Sequence, residues 1–309
     1  MSASPPPLIA VLIPCFNEEP SIAKVVADFR AALPDAALYV FDNNSTDRTA
    51  AVAAAAGATV RREALQGKGN VVRRMFADVE ADVYVMVDGD ATYDAQAAPG
   101  MVRQILQDKL DMVVGARIAS AQDAYRLGHR AGNRLLSGAV AHFFGKQFSD
   151  MLSGYRVFSR RFVKSFPSLS GGFEIETELT VHALELRLPV AEVSTPYVGR
   201  PQGSSSKLST WRDGWRILRL IVVLYKNERP FRFFTWLSVV LGVTALALGT
   251  PLIITFIETG LVPRMPTAIL ATGLVLLSAL SFITGLILDT VTRGRREIKR
   301  LAYLANPPP

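Results

Sequence analysis

Residues 82–90 read Asp82-Val83-Tyr84-Val85-Met86-Val87-Asp88-Gly89-Asp90. A short, β-branched apolar run leads straight into two carboxylates separated by one glycine. Such a run suits a strand buried in a parallel sheet. In open α/β sheets ligands bind at the carboxyl ends of the strands, which is where Asp88 and Asp90 fall. Working outward, helical periodicity covers Lys68–Val79 on one side and residues 95–107 on the other, with a further strand at Asp111–Gly115 (DMVVG). Upstream come Leu8–Pro14 (LIAVLIP), a helix over Ser21–Leu33, the strand Ala37–Asp42 (ALYVFD), an Ala-rich helix opened by Ser45–Asp47, and the strand Ala58–Arg61. Strict βα alternation predicts an α/β domain with a mainly parallel sheet and helices on both faces.

The charge is unevenly distributed along the 309 residues. Residues 1–206 have a net charge of −1, and residues 207–309 have +8. That asymmetry argues against a nucleic-acid-binding domain, whose basic footprint belongs on the folded part. The last third also holds 25 uncharged residues from Phe233 to Ile257 and 23 from Pro266 to Leu288. A membrane span needs about 20 predominantly apolar residues, whereas helices buried in a soluble protein seldom stay uncharged so long. Lys226, Arg229 and Arg232 precede the first run, and Arg293, Arg295, Arg296, Lys299 and Arg300 follow the second. The positive-inside rule then predicts a transmembrane hairpin with both ends in the cytoplasm.

The resulting organisation is a domain over 1–206, an amphipathic juxtamembrane segment over 207–232, two spans over 233–289, and a basic tail over 290–309. In the juxtamembrane segment Trp211, Trp215, Leu218 and Tyr225 mix with Arg212, Arg216, Arg219 and Lys226. It reads as an interfacial helix facing anionic lipid, against the alternative of a solvated helix packed on the domain. The N-terminus lacks a basic n-region and a cleavage site, so it is not read as a signal peptide. The domain is therefore expected in the cytoplasm and the protein in the inner membrane. A single cysteine, Cys15, suits that reducing compartment.

Several polar groups lie at predicted strand ends. Asp88 and Asp90 have the donor chemistry for a hard divalent cation, Mg²⁺ or Mn²⁺. Asp42 ends the second strand and offers an acceptor to a ribose or a base, while Ser45–Asp47 reads as a helix cap. Gly67-Lys68-Gly69 supplies a flexible cationic arm without P-loop spacing. Glu174, Glu176 and Glu178 read as a charge cluster at a helix N-terminus.

Pro14-Cys15-Phe16-Asn17-Glu18, the segment Asp42 to Asp47, Gly67-Lys68-Gly69 and Asp88-Gly89-Asp90 together resemble glycosyltransferase family 2, the inverting enzymes of GT-A (Rossmann-like) fold. Gly115-Ala116-Arg117, Arg126, Gly132-Asn133-Arg134, Asp150 through Arg156, Arg200 and Ser206-Lys207 look like its polyprenyl-phosphate branch. That branch includes dolichyl-phosphate mannose synthases and bacterial undecaprenyl-phosphate glucosyltransferases, and the two spans resemble the bacterial, tetrameric type.

The resemblance implies nucleotide-sugar binding by Pro14, Phe16, Glu18, Asp42, Asn43, Lys68, Asp88 and Gly89. It implies metal binding by Asp88 and Asp90, with Asp90, Arg117 and Asp150 in the catalytic centre. It assigns the acceptor phosphate to Arg117, Arg126, Arg130, Arg134, Ser137, Arg156, Arg200 and Lys207. Thr92 stands where mannose synthases often carry Gln, which leaves a third protein ligand to the metal without support. The partners implied are a nucleotide sugar and a polyprenyl phosphate lipid.

A phosphate monoester acceptor, with a second pKa of about 6, is already largely dianionic at neutral pH. A strong base is then unnecessary, and Asp150 either positions the acceptor and sugar hydroxyls or serves as a base. The expected donor is a UDP-hexose, glucose first, with GDP-mannose as the alternative. A processive polysaccharide synthase would carry a Gln-x-x-Arg-Trp motif, which is missing, and would need more spans. A membrane-anchored nucleotide-sugar-binding protein without activity is the alternative of another class.

Overall fold

A computed structural model describes residues 6–119, 148–172, 174–198, 215, 219, 222, 223 and 225–309. The chain divides into one unit of Met1–Ile221 with Lys299–Pro309 and a second of Val222–Ile298.

Among the described residues the first unit has seven strands, in the order β3-β2-β1-β4-β6-β5-β7. Strands β1 (Ile9–Cys15), β2 (Ala37–Asp42), β3 (Thr59–Arg62) and β4 (Val83–Met86) pair in parallel. Strand β6 (Arg156–Ser159) runs antiparallel between β4 and β5 (Met112–Ala119), and β7 (Val190–Tyr197) lies parallel to β5 at the edge. The first five strands lie where the sequence places them, within a few residues, β5 being longer. Strands β6 and β7 extend the sheet beyond that reading. Pro196 within β7 is tolerated because an edge strand can leave one N–H side unpaired.

Side-chain alternation along the strands divides the core into two layers. Val11, Ile13 and Cys15 of β1 join one layer with Val25, Val26 and Phe29 of α1 (Ile22–Ala32) and Met101, Val102 and Ile105 of α4 (Ala98–Gln107). Ala10 and Leu12 point the other way, onto Val71, Val72, Met75 and Phe76 of α3 (Lys68–Asp78). Each helix buries one stripe at three- and four-residue spacing, as an amphipathic helix on a sheet must. Helix α2 (Thr49–Ala55) starts later than expected. Ser45 does not cap it: its Oγ accepts from Asn17 N at 2.9 Å, and Asp47 Oδ1 takes the Thr49 N–H at 2.9 Å. Helices α5 (Arg160–Ser165) and α6 (Ile175–Leu186) complete the described part.

Helices α7 (Pro230–Thr259) and α8 (Met265–Leu304) have mean hydropathies of 2.2 and 2.1 over their apolar windows, of which 6% and 11% is buried. They are long and apolar enough to cross a membrane, and their apolar surface is bare, unlike that of core helices. Within the second unit Ser278 Oγ donates to Ser238 O at 2.8 Å, and a side chain at Gly285 would press on Phe234. Small residues at the crossing are how helices approach where no hydrophobic drive separates them from lipid.

The basic segment after the second apolar run is helical to Leu304. Its end belongs to the first unit: Lys299 Nζ meets Glu185 Oε2 at 2.6 Å, and Tyr303 donates to Asp111 Oδ2 at 2.8 Å.

Candidate active site

The parallel strands deliver their polar residues to one edge of the sheet. Cys15 and Asp42 are in register at the ends of β1 and β2, and Asn43 N donates to Cys15 O at 2.8 Å. Asn17 and Asn44 take left-handed backbone conformations there, with φ of 53° and 62°, which Asn tolerates better than most residues. Asn17 Oδ1 accepts from Thr46 N at 2.8 Å, fastening the two strand-end loops together. Pro14, the last residue but one of β1, lies opposite Phe41, and Phe16 follows the strand, half-buried. Glu18 is buried in the loop before α1, where its backbone carbonyl accepts from Ile22 N.

Asp42 is 6% exposed. Its Oδ2 accepts from Ser45 N at 3.3 Å, while Oδ1 is buried without a hydrogen-bond partner among the described residues. An unsatisfied buried carboxylate oxygen costs free energy unless a donor completes it, and a ligand hydroxyl is such a donor. Asn43 is different. Its Nδ2 donates to Glu63 O and Leu65 O, and its Oδ1 accepts from Gly67 N at 2.7 Å. This side chain therefore secures the 63–67 loop.

Beyond β4, Asp90 is buried and its Oδ1 accepts from the Thr92 hydroxyl at 2.6 Å. Thr92 thus orients the carboxylate. Ala91 turns the chain with φ of 56°, a strained value for a residue with a Cβ. The carbonyl of Gly89 accepts from Ser21 Oγ at 2.7 Å. Asp88 lies against the backbone of Gly154, where any side chain would overlap its carboxylate. Gly154 N in turn donates to Tyr93 OH at 3.0 Å. Burial, then the charge of Asp88, raises the Tyr93 phenol above its ordinary range, so it stays neutral.

Lys68 is not a flexible arm. Its Nζ sits 2.5 Å from Asp88 Oδ1 and 2.5 Å from Glu176 Oε1, with the side chain 10% exposed. Burial opposes its charge, but the two carboxylates outweigh that and raise its pKa. Glu176 and Glu178 do lie in the first turn of α6. Both are buried and specifically engaged, Glu178 accepting from Leu169 N and Ser170 N at 2.8 Å each.

Among the described residues no group of three or more His, Cys, Asp or Glu side chains is gathered as a metal cluster. Asp88 and Asp90 nevertheless fit a hard divalent cation. Asp88 keeps its side chain 28% exposed, Asp90 is oriented by Thr92, and octahedral ions such as Mg²⁺ commonly take one or two carboxylates and complete their shell with water and phosphate oxygens.

On β5, Arg117 grips Asp150 through Nε–Oδ2 at 2.6 Å and Nη2–Oδ1 at 2.8 Å, with its guanidinium 5.5 Å above the Tyr197 ring. Glu192 holds the Asp150 loop by accepting from Ser149 N and Asp150 N. Arg156 requires a correction. It is fully buried, donating to Ser153 O, Met151 O and Thr180 Oγ1, and it presents no surface to a phosphate. Burial lowers its pKa to about 10. It is an internal brace for the Asp150–Gly154 loop. Tyr93, Glu192 and Tyr197 join the site with no sequence motif to mark them. Arg126, Arg130, Arg134, Ser137, Arg200 and Lys207 lie outside the described residues.

Residues 10–166 match the model of the family described as glycosyl transferase family 2. An uncharacterised protein of Shigella flexneri is 57% identical over 155 residues, which cover 50% of this chain and 95% of that one. The glycosyltransferase AglJ of Haloferax volcanii is 36% identical, over 81% of this chain and 82% of its own. The dolichyl-phosphate hexose transferase of the same organism is 28% identical, over 72% of this chain and 95% of its own. Among solved structures, Mycobacterium tuberculosis glucosyl-3-phosphoglycerate synthase with Mn²⁺ and UDP-glucose matches with a TM-score of 0.58 at 24% identity, over 70% of this chain and 79% of its own. That likeness shows the fold, the GT-A sheet expected from the sequence. The chain is a glycosyltransferase and belongs to glycosyl transferase family 2.

Proposed function

We propose that the chain transfers a hexose from a nucleotide sugar, UDP-glucose first among donors, to a polyprenyl phosphate such as undecaprenyl phosphate. Transfer would invert the anomeric carbon and occur at the cytoplasmic face of the inner membrane. The observation that carries this reading is the presence, in one chain, of the strand-end carboxylates Asp42, Asp88 and Asp90 and of two bare apolar helices. A polyprenol cannot leave the bilayer, so its transferase must work at the membrane. The dolichyl-phosphate hexose transferase among the relatives supports the acceptor class. The UDP-glucose in the solved neighbour supports the donor class. The basic residues flanking the apolar helices support cytoplasmic ends, and homo-oligomerisation, as a tetramer, belongs to the same reading.

In this mechanism Asp42 Oδ1 accepts from a ribose hydroxyl, with Glu18, Pro14 and Phe16 beside it. Asp88 and Asp90 would hold Mg²⁺ or Mn²⁺, whose charge stabilises the leaving diphosphate when bound. Arg117 offers a fork suited to phosphate oxygens, and its grip on Asp150 displays that geometry. Arg126, Arg130, Arg134 and Arg200 are assigned to the acceptor phosphate from sequence alone. Held by Arg117, Asp150 serves position more than proton transfer, since the acceptor is already ionised. Rate then comes from alignment and charge stabilisation.

The test is radiolabelled UDP-glucose supplied to membranes containing the protein and undecaprenyl phosphate, with GDP-mannose in parallel. Label should enter the chloroform phase, stop with EDTA, and stop with Asp90→Ala. Absence of metal-dependent lipid label from every donor refutes the proposal.

A further inference from the structure

Lys68 and Glu176 are 108 residues apart in sequence, yet these two buried side chains form one ion-pair chain with Asp88, whose side chain is 28% exposed. Lys68 opens α3, and Glu176 lies in the first turn of α6. The unit is built rigidly. Gly67, at φ 130°, and Gly69 press on the carbonyls of Gly171 and Ser170, where a Cβ at either glycine would overlap backbone. That same loop is pinned from the other side by Glu178, through the N–H groups of Leu169 and Ser170. The ammonium is therefore fixed between two carboxylates, and the 2.5 Å contact to Asp88 uses an oxygen of a residue read above as a metal ligand.

A divalent ion approaching Asp88 must share that carboxylate with a fixed positive charge. Like charges within ~4–6 Å disfavour one another strongly in a partly dry site. A buried ammonium that lost its only counter-ion would be costly, and Glu176, with its side chain 5% exposed, remains as a second one. We propose that Lys68 and Glu176 are positioning residues that set the site's metal affinity: Lys68 competes with the divalent cation for Asp88, and Glu176 retains Lys68 when Asp88 turns to the metal. This rests on Asp88 being a metal ligand, and it gives the Gly-Lys-Gly segment a function separate from contact with the nucleotide.

The test measures Mn²⁺ binding to the full-length protein in detergent, without nucleotide or lipid, from the electron paramagnetic resonance signal of free Mn²⁺. Lys68→Gln should bind Mn²⁺ on the order of tenfold more tightly than wild type, because a competing charge is gone. Glu176→Gln should bind several-fold more weakly, because displacing Lys68 then strands it. These opposite signs separate the proposal from a purely structural role, which would weaken both. The double variant removes both buried charges together and should bind more tightly than Glu176→Gln alone. Should Lys68→Gln fail to fold, that second comparison decides. Unchanged or weaker binding by Lys68→Gln, or a double variant no tighter than Glu176→Gln, overturns the proposal. Failure to make lipid-linked sugar would leave these affinities as predicted, so the two readings fail separately.

Discussion

Arg117 closes on both carboxylate oxygens of Asp150, a residue 33 positions away, and does so from a strand beside the Tyr197 ring. The two ends of this pair are unequally buried, with 27% of the arginine side chain exposed and 9% of the aspartate. Removing the arginine deprives a buried carboxylate of its guanidinium. Removing the aspartate leaves a cation with partial access to water.

Arg117→Ala should therefore destabilise the protein more than Asp150→Ala. Breaking a fully buried pair costs about 3–5 kcal/mol, and the partial exposure here reduces the expectation to about 1–3 kcal/mol. Denaturant melts in detergent check it. The double variant should cost less than the sum of the single changes, since residues in direct contact couple. Strict additivity would show that the pair contributes nothing of its own.

Thr92 holds Asp90, one of the two carboxylates proposed for the metal. Replacing its hydroxyl by a methyl in Thr92→Val leaves the volume similar and removes the 2.6 Å hydrogen bond to Asp90 Oδ1. Partners that orient metal ligands are worth about 10–100-fold in metal affinity or activity when lost. The expected result is a lower transfer rate that added Mn²⁺ restores in part. A rate that added metal does not raise would argue that Thr92 acts elsewhere.

Gly154 gives a steric test of the Asp88 position. A Cβ there would overlap the Asp88 carboxylate, and the neighbouring Tyr155 is packed against Phe29, so the backbone has little room to retreat. Gly154→Ala should shift Asp88, and a displacement of about 1 Å in a catalytic group can cost about a hundredfold in rate. Turnover should fall by that order while the melting temperature changes little. Retained turnover would mean that Asp88 need not stay where it is.

Much of this was legible in sequence because the information is local. Strands β1 to β5 announce themselves as short apolar runs, and Asp42, Asp88 and Asp90 mark the exits of β2 and β4. Strand β6 is only four residues long and begins with Arg156, an arginine that reads as surface until its carbonyl partners are known. The Lys68–Glu176 pair and the Tyr303–Asp111 bond join positions 108 and 192 apart, and no periodicity reports such distances. Asn43 shows the same limit: a polar residue at a strand end can hold a loop, and only its neighbours reveal that it bonds Glu63, Leu65 and Gly67.

His182 gives the fold a pH dependence with a definite sign. It is buried between Phe162 and Phe166, with Nε2 3.1 Å from Ser165 Oγ and Nδ1 without a partner among the described residues. Burial, then the positive charge of Lys299, lowers its pKa to about 3, against about 6.5 for an unfolded histidine. The unfolded chain thus binds a proton between these values that the folded chain refuses. Stability from this residue is fully present above about pH 6.5 and is lost as pH falls toward 3, by up to about 1.4 kcal/mol per pH unit. His182→Leu removes the titrating group, while Ser165 Oγ keeps its bond to Phe162 O at 3.0 Å. Denaturant midpoints between pH 7 and pH 5 should fall more steeply for wild type than for His182→Leu. Parallel pH profiles for the two proteins would show that His182 carries none of the acid sensitivity.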